Sequence, residues 1–106
     1  MLNNIIIAYS LTKGGKGLNI TQTEDFTARG FNYLIKTDGS VERFIKGHSK
    51  YFYKNIPVLH SLDGNSLILL VLGGMNKEDQ VEDTTTWKQW DTLEVIINYN
   101  KLMNPD

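Results

Sequence analysis

Apolar residues along this chain fall in short runs separated by polar or glycine-rich stretches, and their spacing predicts each element in turn. Ile5-Ile6-Ile7-Ala8-Tyr9 is a β-branched run with no polar alternation, which predicts a strand buried on both faces. Residues 10–19 contain Lys13-Gly14-Gly15-Lys16-Gly17, and this glycine density predicts a loop whose backbone can approach a ligand closely. Thr21 or Thr23 can cap a short helix, with Glu24 and Asp25 favourable in its first turn and Gly30 ending it. Residues 31–36 read as a strand, Asp38-Gly39 as a hairpin turn, and Val41-Glu42-Arg43-Phe44 as the returning strand.

Residues 45–65 mix basic and aromatic side chains around Pro57 and read as irregular. Ser66-Leu67-Ile68-Leu69-Leu70-Val71-Leu72 is the most apolar run, the expected central strand, and Gly73-Gly74 stops it. Residues 75–83 are polar and acidic and predict a solvated loop. Thr86-Trp87-Lys88-Gln89 matches a capping box, with Thr86 as cap and Gln89 reaching back. The helix that follows places Trp90, Leu93, Ile96 or Ile97, and Met103 on one stripe and ends before Pro105. The expected fold class is α/β, a small mixed β-sheet flanked by helices in a single domain over 1–106.

At 106 residues, folding buries roughly two-thirds of the unfolded chain's surface, enough for one core. The net charge of −1 offers no overall field for nucleic acid or an anionic membrane. The halves differ: residues 1–54 carry eight Lys/Arg against four Asp/Glu, and residues 55–106 carry three against eight. That asymmetry predicts a basic patch contributed by the first half. The absence of cysteine excludes disulfides, thiolate-held metal and a Cys nucleophile. The longest apolar run, 67–72, is far short of the about 20 residues that span a bilayer, and the start lacks a basic, long-apolar signal pattern. A cytoplasmic protein is expected.

Three segments carry candidate chemistry. In the 13–17 loop, backbone N–H groups could cradle a phosphate while Lys13 and Lys16 add charge, although the spacing is not that of a P-loop; the alternative is a plain connection between strand and helix. Lys46-Gly47-His48-Ser49-Lys50-Tyr51-Phe52-Tyr53-Lys54 combines cations with three consecutive aromatics, a mixture suited to anionic, ring-containing ligands; alternatively the rings fill the core while the lysines face water. Trp87 and Trp90 share a helix face and read as core or interface residues. His60 reads as a loop residue packed on the surface, and the acidic stretch 78–83 lacks calcium-loop spacing.

The series Tyr33-Leu34-Ile35-Lys36-Thr37-Asp38-Gly39-Ser40-Val41-Glu42, then Gly47-His48-Ser49-Lys50, then Asn65-Ser66-Leu67-Ile68-Leu69-Leu70-Val71-Leu72-Gly73-Gly74, resembles the phage-lysozyme type of N-acetylmuramoyl-L-alanine amidase, related to the peptidoglycan recognition proteins. Asp83-Thr84-Thr85-Thr86 and the helix after it resemble the family's last core helix. The resemblance implies a zinc amidase, yet Ala8 stands where the family has its first His ligand and Phe31 where many members have a catalytic Tyr. The segment that carries the other ligands in the family follows the last helix, and the sequence ends at Asp106 without it. His48 matches a family His that lines the groove without binding metal.

The expectation is therefore a trimmed amidase fold that has lost its enzyme, with no catalytic residue, no metal and no cofactor. Tyr9, Ser10, Lys13, Lys16, His48, Lys50, Tyr51, Tyr53 and Lys54 are its candidate ligand-binding residues. The expected partner is an anionic small molecule, with a nucleotide-type immune signal sequestered by a phage-encoded protein as the specific case, and neither nucleic acid nor membrane. Two alternatives are a protein-interaction module using the tryptophans and the acidic turn, and a residual amidase. Surface bared by the trimming predicts a homo-oligomer.

Overall fold

A computed structural model describes residues 4–13, 17–45, 48–52 and 66–103. The β-branched N-terminal run forms β1 (Asn4–Tyr9), and a two-residue strand, β2 (Thr12–Lys13), follows inside the stretch expected to be all loop. Helix α1 (Ile20–Ala28) is capped by Asn19, not by Thr21 or Thr23. Asn19 Oδ1 accepts the Gln22 N–H at 2.8 Å and Gln22 Oε1 accepts the Asn19 N–H at 3.0 Å. This reciprocal box satisfies donors that a cap two or four residues later would strand, and it moves Glu24 and Asp25 out of the first turn. Gly30, at φ +92°, ends the segment as its sequence position predicts.

The hairpin is as expected in kind: β3 (Tyr33–Ile35) and β4 (Val41–Ile45) pair antiparallel through a turn at Asp38-Gly39. Gly39 sits at φ +85°, and a Cβ there would lie 3.0 Å from the Lys88 carbonyl oxygen, so the turn needs glycine twice over. Strand β3 is shorter than the 31–36 reading, with Asn32 tied to both neighbours just before it: its N–H donates to the Ile68 carbonyl at 3.0 Å, its Oδ1 accepts the Ile68 N–H at 2.8 Å, and its carbonyl accepts the Phe44 N–H at 3.0 Å. Residues 48–52, expected to be irregular, form β5 (His48–Phe52) against β4. Then come β6 (Ser66–Val71), β7 (Gly74–Met75), which pairs with β2, and α2 (Trp87–Met103). The 75–83 segment is thus tied at its start, and Met75 also bridges Val81.

The main sheet runs β1-β6-β3-β4-β5, with β6 parallel to both β1 and β3. The fold is a small mixed α/β domain with one helix on each face. Leu67, Leu69 and Val71 join Tyr33, Ile35, Val41, Leu93 and Ile96 in the layer under α2. Leu70 and Leu72 join Phe26, Leu34 and Phe44 under α1. Strand β6 is therefore buried on both faces as its uninterrupted apolar run requires, although β3 holds the middle of the sheet.

Two expectations fail on burial. Strand β1 is an edge strand with Ile6, Ile7 and Tyr9 exposed, because α1 packs chiefly on β4 and β5, and α2 on β3. An apolar run reports what a strand could bury, not what covers it. In α2 the buried stripe is Gln89, Thr92, Leu93, Ile96 and Asn100, and Trp87 and Trp90 lie outside the core. Each of the three polar members has an internal partner (Gln89 to two carbonyls, Thr92 to Gly39, Asn100 to Ile96), so most of the stripe is invisible to a count of apolar residues. The capping box itself forms as expected, with the Thr86 N–H donating to Gln89 Oε1 at 2.9 Å and the Gln89 N–H to Thr86 Oγ1 at 3.2 Å.

Candidate functional site

The parallel strands β1, β6 and β3 end on the same side of the sheet, at Tyr9, Val71 and Ile35. Ligands favour such ends in α/β sheets because the connections leaving them diverge. Here the chain leaving β1 is stapled to the chain leaving β6. Ser10 Oγ accepts the Gly73 N–H at 2.9 Å and shares a 2.7 Å hydrogen bond with Thr12 Oγ1, and the Thr12 N–H donates to the Gly73 carbonyl at 3.2 Å. Gly73 and Gly74 both have positive φ, and a Cβ on Gly73 would overlap the Thr84 hydroxyl. The two glycines thus stop β6 and also let three chain segments meet.

Beyond this staple lies a cleft of about 450 Å³ lined by Leu11, Thr12, Lys13, Gly17, Asn19, Gln22, Met75 and Asp79. That volume suits a small molecule. Leu11 (φ +56°) and Asp79 (φ +60°) are the two non-glycine residues with left-handed backbone among the described residues, and both line the cleft. Such conformations cost of order 1–3 kcal/mol each, more for leucine than for aspartate, and concentrate where surrounding structure fixes a functional shape. The turn that holds Asp79 is built by Asn76, whose Oδ1 accepts the Glu78 and Gln80 N–H groups at 2.9 and 3.0 Å.

Lys13 Nζ lies 3.1 Å from Asp79 Oδ1, with side chains 42% and 70% exposed. An ion pair this exposed contributes about 0.2–1 kcal/mol. A ligand anion can therefore take the place of the Asp79 carboxylate on Lys13 with little loss to the fold. The capping box of α1 stands opposite, with Asn19 and Gln22 on the wall.

Of the residues singled out from sequence, Lys13 lines this cleft. Tyr9 is exposed at the end of β1, outside the lining, and Ser10 is buried with its hydroxyl spent on the Gly73–Thr12 staple. Ser10 thus holds the chain leaving β1 to the chain leaving β6. His48, Lys50 and Tyr51 lie on β5, the opposite edge strand, where they pair in register with Ile45, Arg43 and Glu42. Four strand spacings, roughly 19 Å, separate that edge from β1. Lys16, Tyr53, Lys54 and His60 lie outside the described residues. The candidate set is therefore not one cluster on the sheet. The residues missed by sequence reasoning are those contributed by Leu11, Asn19, Gln22, Met75 and Asp79. The Asn19-x-x-Gln22 spacing was the available signal for two of them.

Two carboxyls outside the cleft lining have lowered pKa values. Asp38 is held below its ordinary range chiefly by the Ser40 hydroxyl and N–H that donate to it, and Asp83 likewise by Thr85. Among the described residues no three His, Asp or Glu side chains converge as a metal-holding group, and no helix is long and apolar enough to cross a membrane. No protein-family model matches the chain, and no curated protein matches it.

Proposed function

We propose that this chain is a non-catalytic binding protein on an amidase-like domain, and that it takes an anionic small molecule in the cleft at the carboxyl ends of β1 and β6. The carrying observation is Lys13, placed on the cleft wall and held by an exposed carboxylate that a ligand can displace. The left-handed Leu11 and Asp79 in the same lining add to it, since a backbone strained at two points of one cleft is a shape maintained at a cost. Ala8, at the position of the resembled family's first zinc ligand, supports a binding role without catalysis. The specific case is a phage-encoded protein that sequesters a nucleotide-derived immune signal in the host cytoplasm. Self-association belongs to the same reading, because β1 is an uncharged edge strand with Ile6 and Ile7 exposed, and such edges ordinarily gain a partner or a guard.

The test is calorimetry of the full chain against cyclic dinucleotides, cyclic ADP-ribose variants and linear nucleotides. Saturable binding that falls about tenfold in Lys13→Ala is expected, the scale of one lost charge-assisted contact. A panel without binding, or a Lys13→Ala variant that binds as well as the parent, refutes the cleft. Amide cleavage of peptidoglycan by a zinc-loaded preparation overturns the non-catalytic role.

A further inference from the structure

The solvent face of α2 is distinct from the cleft and carries a different chemistry. Trp87, Trp90, Asp91 and Glu94 follow one another at i, i+3, i+4 and i+7, so two indoles and two carboxylates share the face opposite the buried stripe. The two residues are 69% and 54% exposed, which is unusual for the largest apolar side chains in a chain with only two tryptophans.

Both rings are nevertheless held. The Trp90 Nε1–H donates to Thr85 Oγ1 at 3.0 Å, and Thr85 in turn donates its hydroxyl to Asp83 Oδ1 at 2.5 Å and its N–H at 3.0 Å. The ring, the hydroxyl and the carboxylate form one chain, which fixes the indole and sets a charged group beside it. The Lys88 ammonium lies 5.7 Å from the Trp87 ring centroid, so the chain itself shows this ring accepting a cation. Residues 77–94 carry six carboxylates against two lysines, and Val81 adds a further exposed apolar side chain. A fixed, exposed aromatic pair ringed by acid repels phosphates and anionic lipid, and complements a cationic, partly apolar surface.

We infer that this face docks an arginine- or lysine-rich segment of another protein, whose cationic side chains stack on Trp87 and Trp90 while their charge meets Asp83, Asp91 and Glu94. Arginine fits best, because its planar guanidinium both stacks on indole and pairs with carboxylate. Preorganised rings keep the ordering cost low on this side of the interface.

The probe is an octa-arginine peptide added to the full chain at low salt, read by the fluorescence of the two tryptophans and by calorimetry. Saturable binding that weakens as salt rises is expected, with about a tenfold loss in Trp87→Ala/Trp90→Ala, the scale of hot-spot removal. Trp90→Phe should retain most of the affinity, because it keeps a ring and loses only the bond to Thr85. Asp91→Asn/Glu94→Gln should weaken binding several-fold and flatten its salt dependence. Trp87, Trp90 and Glu94 are exposed and Asp91 is half-buried, so an unchanged circular dichroism melt is required of each variant to certify its fold. Absent saturation overturns the inference, as does equal affinity in the double tryptophan variant, which would reduce the effect to bulk charge. Lys13→Ala should bind octa-arginine like the parent, which separates this face from the cleft.

Discussion

Gln89 is the residue whose loss should cost the fold most for its size. It is fully buried and makes three bonds with its side chain: Nε2 donates to the Ile35 carbonyl at 3.1 Å and the Leu72 carbonyl at 2.8 Å, and Oε1 accepts the Thr86 N–H. Those partners are the ends of β3 and β6 and the cap of α2, so one amide joins three elements. In Gln89→Ala the bonds fail unequally. Ile35 keeps a partner in the Leu72 N–H, and its lost bond is worth about 1 kcal/mol. The Leu72 carbonyl loses a buried donor, at about 1–3 kcal/mol, and the half-buried Thr86 N–H can recruit water at a cost of about 1 kcal/mol or less. The total is about 2–5 kcal/mol, before any cavity term, against a stability of about 5–15 kcal/mol for domains generally. Urea unfolding followed by circular dichroism should show a lower midpoint with an unchanged slope, and a melting temperature reduced by about 8–40 °C. Gln89→Met restores the volume without the bonds and should recover little. A loss under about 1 kcal/mol in Gln89→Ala, or full recovery with methionine, refutes the polar-lock argument and makes Gln89 ordinary packing.

Two further outcomes follow from local geometry. Asp38 Oδ1 accepts the Ser40 N–H and hydroxyl at 2.8 and 2.6 Å, and these bonds depress its folded pKa below the ordinary 3.8. A depressed carboxyl stabilises the fold above its unfolded pKa and loses that contribution as pH falls through the folded value, so the deficit of Asp38→Asn should be present at pH 7 and shrink below about pH 4; urea midpoints across pH measure it, and a deficit that grows on acidification contradicts it. Ile7, 44% exposed on the edge strand, can become lysine with little effect on the folded subunit, and Ile7→Lys should convert a self-associated protein to monomer in analytical ultracentrifugation, whereas an unchanged mass removes β1 as the contact.

What the sequence conveyed about this fold tracks how local the cause is. The Asp38-Gly39 turn, the Thr86–Gln89 box and the Gly73-Gly74 stop are decided by a few neighbouring residues, and each stands where the pattern puts it. Strand β5 was hidden because its pairing partner, not its own alternation, makes it a strand: Lys50 and Tyr51 face Arg43 and Glu42 across the ladder. The exposure of β1 was equally out of reach, since an apolar run does not say whether a helix crosses it. The candidate site was legible only at Lys13 and Gly17, the two ends of the glycine-rich loop. Asp79 enters the cleft through a turn that Asn76 folds 63 residues further along the chain, and sequence spacing carries no sign of that approach.

The parallel arrangement explains why the cleft and the tryptophan face occur at one end of the molecule yet can act separately. With β1, β6 and β3 running together, the connection from β6 to α2 must cross the carboxyl end of the sheet before the helix returns over the α2 face. Its first part gives Met75 and Asp79 to the cleft, and its last part gives Asp83 and Thr85 to the Trp90 chain. Between them stands Thr84, whose Oγ1 accepts the Gly74 N–H at 2.8 Å and fills the space that any side chain at Gly73 would need. That staple returns the connection to the end of β6 before it reaches Thr85. A ligand that swings Asp79 away from Lys13 therefore moves an exposed turn on one side of the Thr84–Gly74 bond, with the indole on the other. Coupling between the two surfaces would require the Thr84–Gly74 bond to break, so octa-arginine affinity measured with the cleft filled and empty should agree.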